Sequence, residues 1–214
     1  ADYELLMDFT EELVTGVVQE VTGGVQVEWG EHTIDFSLPW RRITMRDAIL
    51  EYSDLTPEDL VDRARMEAAA RQLDVQRIDE RSDGNLLAEL FEMTAEPRMI
   101  NPAFIMDFPR DISPFAKSTS EDPDTVERYE LFIGGLEVAN AFTELNDPEE
   151  QRRRLEAQAA EQGGMVDEDF VLAVEHGLPP TGGQGIGIDR LVMLLTNQTS
   201  IRDVILFPQL RSRD

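Results

Sequence analysis

The chain has 214 residues, enough for one domain or two small ones, and its 44 acidic and 19 basic side chains give a formal charge of −25. A surface this negative repels phosphate, which argues against tight nucleic-acid binding by the chain itself. It has no apolar run of the roughly 18–20 residues that a membrane span needs, no signal-peptide pattern in its first residues, and no cysteine. We therefore expect a cytoplasmic protein without a membrane segment.

The first half of the chain combines helical spacing of apolar residues with one pair of short strands. Gly23-Gly24 stops the first helix, and threonines stand where N-caps belong at the starts of two others. In chain order, the predicted elements are a helix over residues 2–21, strands Val25–Trp29 and Thr33–Phe36, and helices from Thr44, from Thr56 to about Leu73 and from Gly84 to Ala95.

The second half supplies most of the predicted sheet. Strands are expected over Pro102–Phe108, Arg128–Gly134, Leu136–Phe142 and the glycine-rich run Gly182–Gly187, and helices over Pro148–Gln162, Asp167–Glu175 and Ile188–Thr196. Because strands and helices mix without βαβ regularity, we expect an α+β fold with an antiparallel sheet flanked by helices.

Two glutamates stand on the predicted hairpin around Gly134-Gly135. If these glycines form a two-residue turn, Phe132 pairs with Glu137, and Glu130 lies diagonally from Glu137 on the same face, about 7 Å away between Cα atoms. Two carboxylates on an apolar hairpin cost desolvation energy unless a cation or hydrogen bonds compensate them. Oxygen ligands at this spacing suit Mg²⁺. The alternative is a solvent-exposed face that carries two ordinary surface acids.

Asn140 and Glu144 form a second polar pair within an apolar segment. A buried carboxylate beside an amide is suited to receive a ligand ammonium group. Simple alternation places Asn140 on the face opposite Glu137, so both reach one pocket only if the strand bulges or twists strongly. The local pattern also fits a turn or helix cap that uses Glu144, Asn146 and Asp147.

Arg190 stands in the first turn of the last predicted helix, just after the glycine-rich strand. An arginine there is unfavourable beside the positive end of the helix dipole, and a bound triphosphate would resolve that conflict. A nearby carboxylate, such as Asp189, is the alternative partner.

Several segments together resemble the class II lysine–tRNA ligases. The run GIGIDRLVMLLT is similar to motif 3 of class II aminoacyl-tRNA synthetases, and further similarity lies in FIGGLEVANAFTELNDP, DISPFAKS, HGLPPTGGQGIGIDR and SIRDVILFP. The resemblance implies an antiparallel class II catalytic sheet, activation of lysine by ATP to lysyl-adenylate, transfer to tRNA, and a cytoplasmic homodimer.

The resemblance also implies roles for individual residues. Glu130 and Glu137 match Mg²⁺ ligands, Glu137 and Arg190 match ATP contacts, and Arg190 is the catalytic candidate. Asn140 and Glu144 match residues that bind lysine, with Glu144 suited to its ε-ammonium.

The chain departs from the family pattern because nothing in it corresponds to motif 1, to motif 2 or to the anticodon-binding barrel. We therefore expect residues 1–214 to be the C-terminal portion of a catalytic domain, inactive alone and with weak or no tRNA binding of its own. Two alternatives remain open. One is a truncated, non-catalytic paralogue that binds lysine, adenylate or a synthetase partner as a regulatory subunit. The other is an aspartate or asparagine enzyme, against which Glu144 counts because an acidic substrate calls for a cation there.

Overall fold

A computed structural model describes residues 1–209, apart from the side chains of residues 161 and 162, so the last five residues of the expected 1–214 unit lie outside the described residues. The described strands are β1 (Gln26–Trp29), β2 (His32–Asp35), β3 (Arg41–Thr44), β4 (Ala103–Pro109), β5 (Thr125–Ile133), β6 (Leu136–Thr143) and β7 (Gly182–Ile186). The described helices are α1 (Tyr3–Thr22), α2 (Met45–Tyr52), α3 (Arg63–Gln72), α4 (Asp83–Thr94), α5 (Pro148–Gln162), α6 (Glu168–Glu175) and α7 (Ile188–Leu195). They confirm the expected α+β class.

The main sheet has the strand order β3-β4-β5-β6-β7, and β1 and β2 form a separate antiparallel hairpin. Strands β4 to β7 pair antiparallel as expected, whereas β3 pairs parallel with β4. The expected antiparallel sheet is thus confirmed over β4 to β7, and β3 adds one parallel edge strand that the sequence analysis did not predict. The physical reason is the long helical connection α2–α4 between β3 and β4, since parallel neighbours require such a crossover.

Local capping chemistry accounts for most helix boundaries. Gly23 ends α1 in the left-handed region at φ 78°, and the side chains of Thr44 and Ser82 accept hydrogen bonds at the starts of α2 and α4.

The predicted helix from Thr56 to about Leu73 is divided in the structure. Thr56 and Asp59 close a short 3₁₀ turn over Pro57–Leu60, and α3 begins only at Arg63. The break has a local cause: Asp62 adopts an extended backbone, and its side chain caps a new helix by accepting a hydrogen bond from the backbone N of Arg65.

Each face of the main sheet packs against its own layer. Helices α2, α3 and α4 cover one face, with Ile105, Phe108 and Phe132 among the sheet residues buried beneath them. Helices α1 and α7 and the β1–β2 hairpin cover the other, over Phe104, Tyr129 and others. This packing places the start of α7 beside the β5–β6 hairpin, so the candidate site residues on the two elements can meet.

Among the described residues, no helix is both long enough and apolar enough to cross a membrane.

Candidate active site

The predicted two-residue turn joins β5 to β6. Gly134 and Gly135 both adopt positive φ, at 61° and 73°. A Cβ on Gly134 would lie 2.7 Å from Nε1 of Trp29, so this position has no room for a side chain. The turn sets the register, and Phe132 pairs with Glu137 as predicted.

One residue of β6 interrupts the regular pairing and decides which face Asn140 occupies. Val138 has no partner on β5, so β6 bulges there. Beyond the bulge, Asn140 lies directly opposite Glu130 and so shares a face with Glu137. The carbonyl oxygen of Val138 also accepts a hydrogen bond from the backbone N of Gly187 at 2.7 Å, which ties the start of α7 to the bulge. The sequence required a bulge or a strong twist for Asn140 and Glu137 to reach one site, and the structure has the bulge.

The face that carries Glu130 and Glu137 borders a cavity of about 460 Å³ next to α4, and Arg190 reaches it from α7. An adjoining cavity of about 370 Å³ shares Glu137 and Arg190 and adds Asn140. A larger cavity, of about 840 Å³, lies beside the first residues of α1 and contains none of the predicted site residues. The polar side chains on the hairpin face therefore identify the candidate site better than cavity size does.

Glu130 has the most strongly perturbed acidic group of this site. Its side chain is 16% exposed, and burial raises its pKa to about 7. The positive charge of Arg128 opposes this rise and the negative charge of Glu137 adds to it. The two carboxylates thus influence each other across a partly dry face, where a cation would relieve the cost of their ionisation.

The sequence reasoning missed Arg128. Its Nη2 donates to Oε1 of Glu130 at 2.6 Å, and its Nε donates to Oδ1 of Asn140 at 3.2 Å. A signal for it was present, because residues two apart in a strand point to the same face and Arg128 precedes Glu130 by two.

Arg190 pairs with Glu137 rather than with Asp189. Its Nη1 donates to the backbone oxygen of Glu137 at 2.5 Å and lies 3.3 Å from Oε2 of the same residue. A nearby carboxylate was one of the two partners that the sequence left open for this arginine. The hydrogen bonds described for Arg190 use only Nη1, and a guanidinium group carries N–H donors on its other two nitrogens as well.

Glu144 directly follows Thr143, the last residue of β6, and lines neither of the two adjoining cavities. Its carboxylate passes over Gly183 of β7, where a Cβ would lie 2.0 Å from Oε1. Burial raises the pKa of Glu144, and in residues 1–209 no basic side chain forms an ion pair with it. The cap of α5 is Asp147, whose side chain accepts from the backbone N of Glu149 and Glu150. Glu144 is therefore not the cap.

Comparison with known proteins shows which family this chain belongs to. The family model of class II tRNA synthetases (D, K and N) matches residues 1–211. Lysine–tRNA ligase of Bacillus subtilis is 49% identical in an alignment of 221 positions that covers 100% of this chain and 44% of that protein. The enzyme of the same name from Vibrio cholerae is 49% identical in an alignment of 224 positions that covers 99% of this chain and 44% of its own length. The chain thus spans less than half the length of these relatives, and it belongs to the class II tRNA synthetase family of the aspartate, lysine and asparagine type.

Proposed function

We propose that this chain is the C-terminal part of the catalytic domain of a lysine–tRNA ligase, the enzyme that activates lysine with ATP and transfers it to tRNA. The observation that carries the proposal is Glu144, a half-buried carboxylate without a basic partner in the described residues. It shares one face of the sheet with the acidic pair Glu130 and Glu137. The names of the similar proteins support the same activity.

Glu144 suits the ε-ammonium group of lysine. Burial makes the bare carboxylate costly, and a ligand cation would offset that cost. Asn140 stands two strand positions before Phe142 and four before Glu144, and we assign it to the same substrate. An aspartate side chain would be repelled by Glu144, and an asparagine side chain would leave its charge uncompensated, which favours lysine over both.

Glu130 and Glu137 fit a Mg²⁺ ion, which commonly takes one or two carboxylates and completes its shell with water and substrate phosphates. In residues 1–209, no three acidic or histidine side chains are grouped closely enough to hold a metal by themselves. When bound, Mg²⁺ would neutralise charge on the triphosphate. We assign Glu137 and Arg190 to ATP as well, since both border the two adjoining cavities.

The proposed first step joins the lysine carboxylate to the α-phosphorus of ATP. One carboxylate oxygen forms a bond to that phosphorus, the bond from the phosphorus to the α–β bridging oxygen breaks, and pyrophosphate leaves. Negative charge increases on the phosphoryl oxygens, and the guanidinium of Arg190 stabilises it through charge-assisted hydrogen bonds. We propose Arg190 as the catalytic residue of this chain for that reason.

The test of the proposal is the substitution E144Q in the protein at its natural length. Glutamine keeps the size of the side chain but removes the charge that would attract the ε-ammonium. We expect the KM for lysine in ATP–pyrophosphate exchange to rise at least about 100-fold, because losing a partly buried ion pair removes about 3 kcal/mol of binding.

The matched control is E149Q, which removes an exposed charge from the first turn of α5 and should leave the KM for lysine unchanged. A KM for E144Q within twofold of the wild type would contradict the assignment of Glu144. Lysine binding without any exchange activity would instead favour a non-catalytic, regulatory role.

The remaining properties of the intact enzyme are proposed with it: a cytoplasmic homodimer that acts on ATP, lysine and tRNA. The 214-residue chain alone is proposed to be inactive and to bind tRNA weakly or not at all. Its charge of −25 repels the tRNA backbone, and it spans only 44% of the length of its relatives.

A further inference from the structure

One guanidinium group contacts both the metal-binding and the lysine-binding side chains of the proposed site. Arg128 donates from Nη2 to Glu130 at 2.6 Å and from Nε to the side-chain oxygen of Asn140 at 3.2 Å. These two partners face each other across the β5–β6 pair. Because the donors of a guanidinium lie in one plane, holding both partners fixes them relative to each other.

The same guanidinium is held in place from the side away from these partners. Its Nη1 donates to Oγ of Ser113 at 2.8 Å and to the backbone oxygen of Ile112 at 3.3 Å. Its Cζ lies 4.6 Å from the ring centroid of Phe108, a cation–π contact. The Arg128 side chain is only 16% exposed, so it is a largely buried group with fixed contacts rather than a surface charge.

The contact with Asn140 has a consequence for ligand binding. The side-chain oxygen of Asn140 is engaged by Arg128, whereas no hydrogen bond of its Nδ2 is formed with the described part of the chain. Nδ2 is a donor with two hydrogens. Arg128 therefore orients the amide so that Asn140 offers a donor, and not an acceptor, to a substrate.

We propose that Arg128 is a positioning residue that sets the Glu130 carboxylate and the Asn140 amide together and so couples the metal site to the lysine site. This proposal rests on the proposed function. Removing the Arg128 guanidinium frees the side chains of Glu130 and Asn140 to move, so it affects both the Mg²⁺ requirement and the affinity for lysine. A residue that served only to stabilise the fold would change the amount of folded protein and leave both constants unchanged.

The test compares R128M and R128K with the wild type in the protein at its natural length, using lysine-dependent ATP–pyrophosphate exchange. For R128M we expect the KM for lysine and the Mg²⁺ concentration at half-maximal rate to rise at least about tenfold each. The side chain introduced by R128K keeps a positive charge that can pair with Glu130, but it lacks the planar set of N–H donors with which arginine also reaches Asn140. R128K should therefore restore the Mg²⁺ requirement to within about threefold of the wild type while the KM for lysine stays raised.

A double variant separates positioning from other effects. Since Arg128 acts on lysine through Asn140, R128M added to N140A should change the KM for lysine by less than about twofold. Values for R128M within twofold of the wild type, or additive effects in the double variant, would overturn the proposal.

A crystal structure of R128M tests positioning without relying on activity. Displaced or multiple conformers of the Glu130 and Asn140 side chains are expected, and unchanged positions would overturn the proposal. If the wild type showed no lysine-dependent exchange, the proposed function would fail on its own, and this structure would still decide whether Arg128 positions the two groups.

Discussion

At the scale of single residues, Glu144 reaches over the sheet because Gly183 of β7 has no side chain. The two positions are far apart in sequence, yet a Cβ at position 183 would lie 2.0 Å from Oε1 of Glu144. No carboxylate can stay at that distance from a carbon atom, so the glycine makes room for the side chain proposed to bind lysine.

The substitution G183A tests this steric relation. The added methyl group should displace the Glu144 carboxylate and raise the KM for lysine about tenfold or more. The control G24A places a Cβ where no atom lies within 4 Å and should leave that KM unchanged. An unchanged KM for G183A would show that Glu144 moves aside without loss of binding.

Because burial raises the pKa of Glu130, this residue makes the free energy of unfolding fall as pH rises. Its pKa is about 7 in the folded chain against an ordinary value of 4.5. Ionisation therefore favours the unfolded state, and the contribution of Glu130 to the free energy of unfolding falls as pH rises from about 4.5 to about 7. The difference of about 2.5 pKa units corresponds to at most about 3 kcal/mol.

The measurement is urea unfolding of the wild type and E130Q at pH 5 and pH 8 with a chelator present. The variant lacks this titration, so its free energy of unfolding should rise relative to that of the wild type as pH increases. Parallel pH profiles of the two proteins would contradict the prediction.

At the scale of elements, a buried hydrogen-bond network joins α1, β5 and β7 on the face opposite the candidate site. The hydroxyl of Tyr129 bonds Thr10 at 2.8 Å and accepts from Nε2 of Gln184 at 3.0 Å. Tyr129 is fully buried, and that burial raises its pKa to about 12. The network fixes the glycine-rich strand, whose own glycines have no side chains to pack.

The substitution Y129F removes the shared hydroxyl and leaves Thr10 and Gln184 each short of one partner. Thr10 and Gln184 keep their hydrogen bond to each other, so the free energy of unfolding should fall by about 1 kcal/mol, the usual contribution of one lost hydrogen bond. Urea denaturation measures this loss. Y52F, which removes a hydroxyl from an exposed contact with Arg41, should change stability by less than about 0.5 kcal/mol. Equal stability of Y129F and the wild type would show that the network contributes nothing.

At the scale of the whole molecule, the chain is strongly acidic, but two glutamates of the candidate site have arginine partners. The chain carries a charge of −25, yet each of the two glutamates proposed to hold Mg²⁺ has an arginine partner, Arg128 for Glu130 and Arg190 for Glu137. These two pairs do not neutralise the site. The cavity beside α4 is lined by four glutamates, Glu92, Glu96, Glu130 and Glu137, against two arginines, so its lining keeps an excess of negative charge that suits a cation.

The sequence predicted those helices, strands and turns whose boundaries are set by residues close together in the chain. Helical spacing with a glycine stop predicted α1, threonine predicted the start of α2, and a glycine pair predicted the turn and the pairing of Phe132 with Glu137. Each of these depends on residues that are neighbours along the chain. The helix predicted from Thr56 to about Leu73 was divided by a second cap at Asp62.

What the tertiary structure decided was how distant groups combine. The sequence by itself determined which residue types are available, among them Glu130, Glu137, Asn140, Glu144 and Arg190. Only the folded sheet decided that β6 bulges at Val138, that Arg128 joins two of these side chains, and that Glu144 passes over a glycine of another strand. A bulge and an ion pair depend on the packing of strands whose residues are not neighbours in the chain, and no local periodicity contains that information.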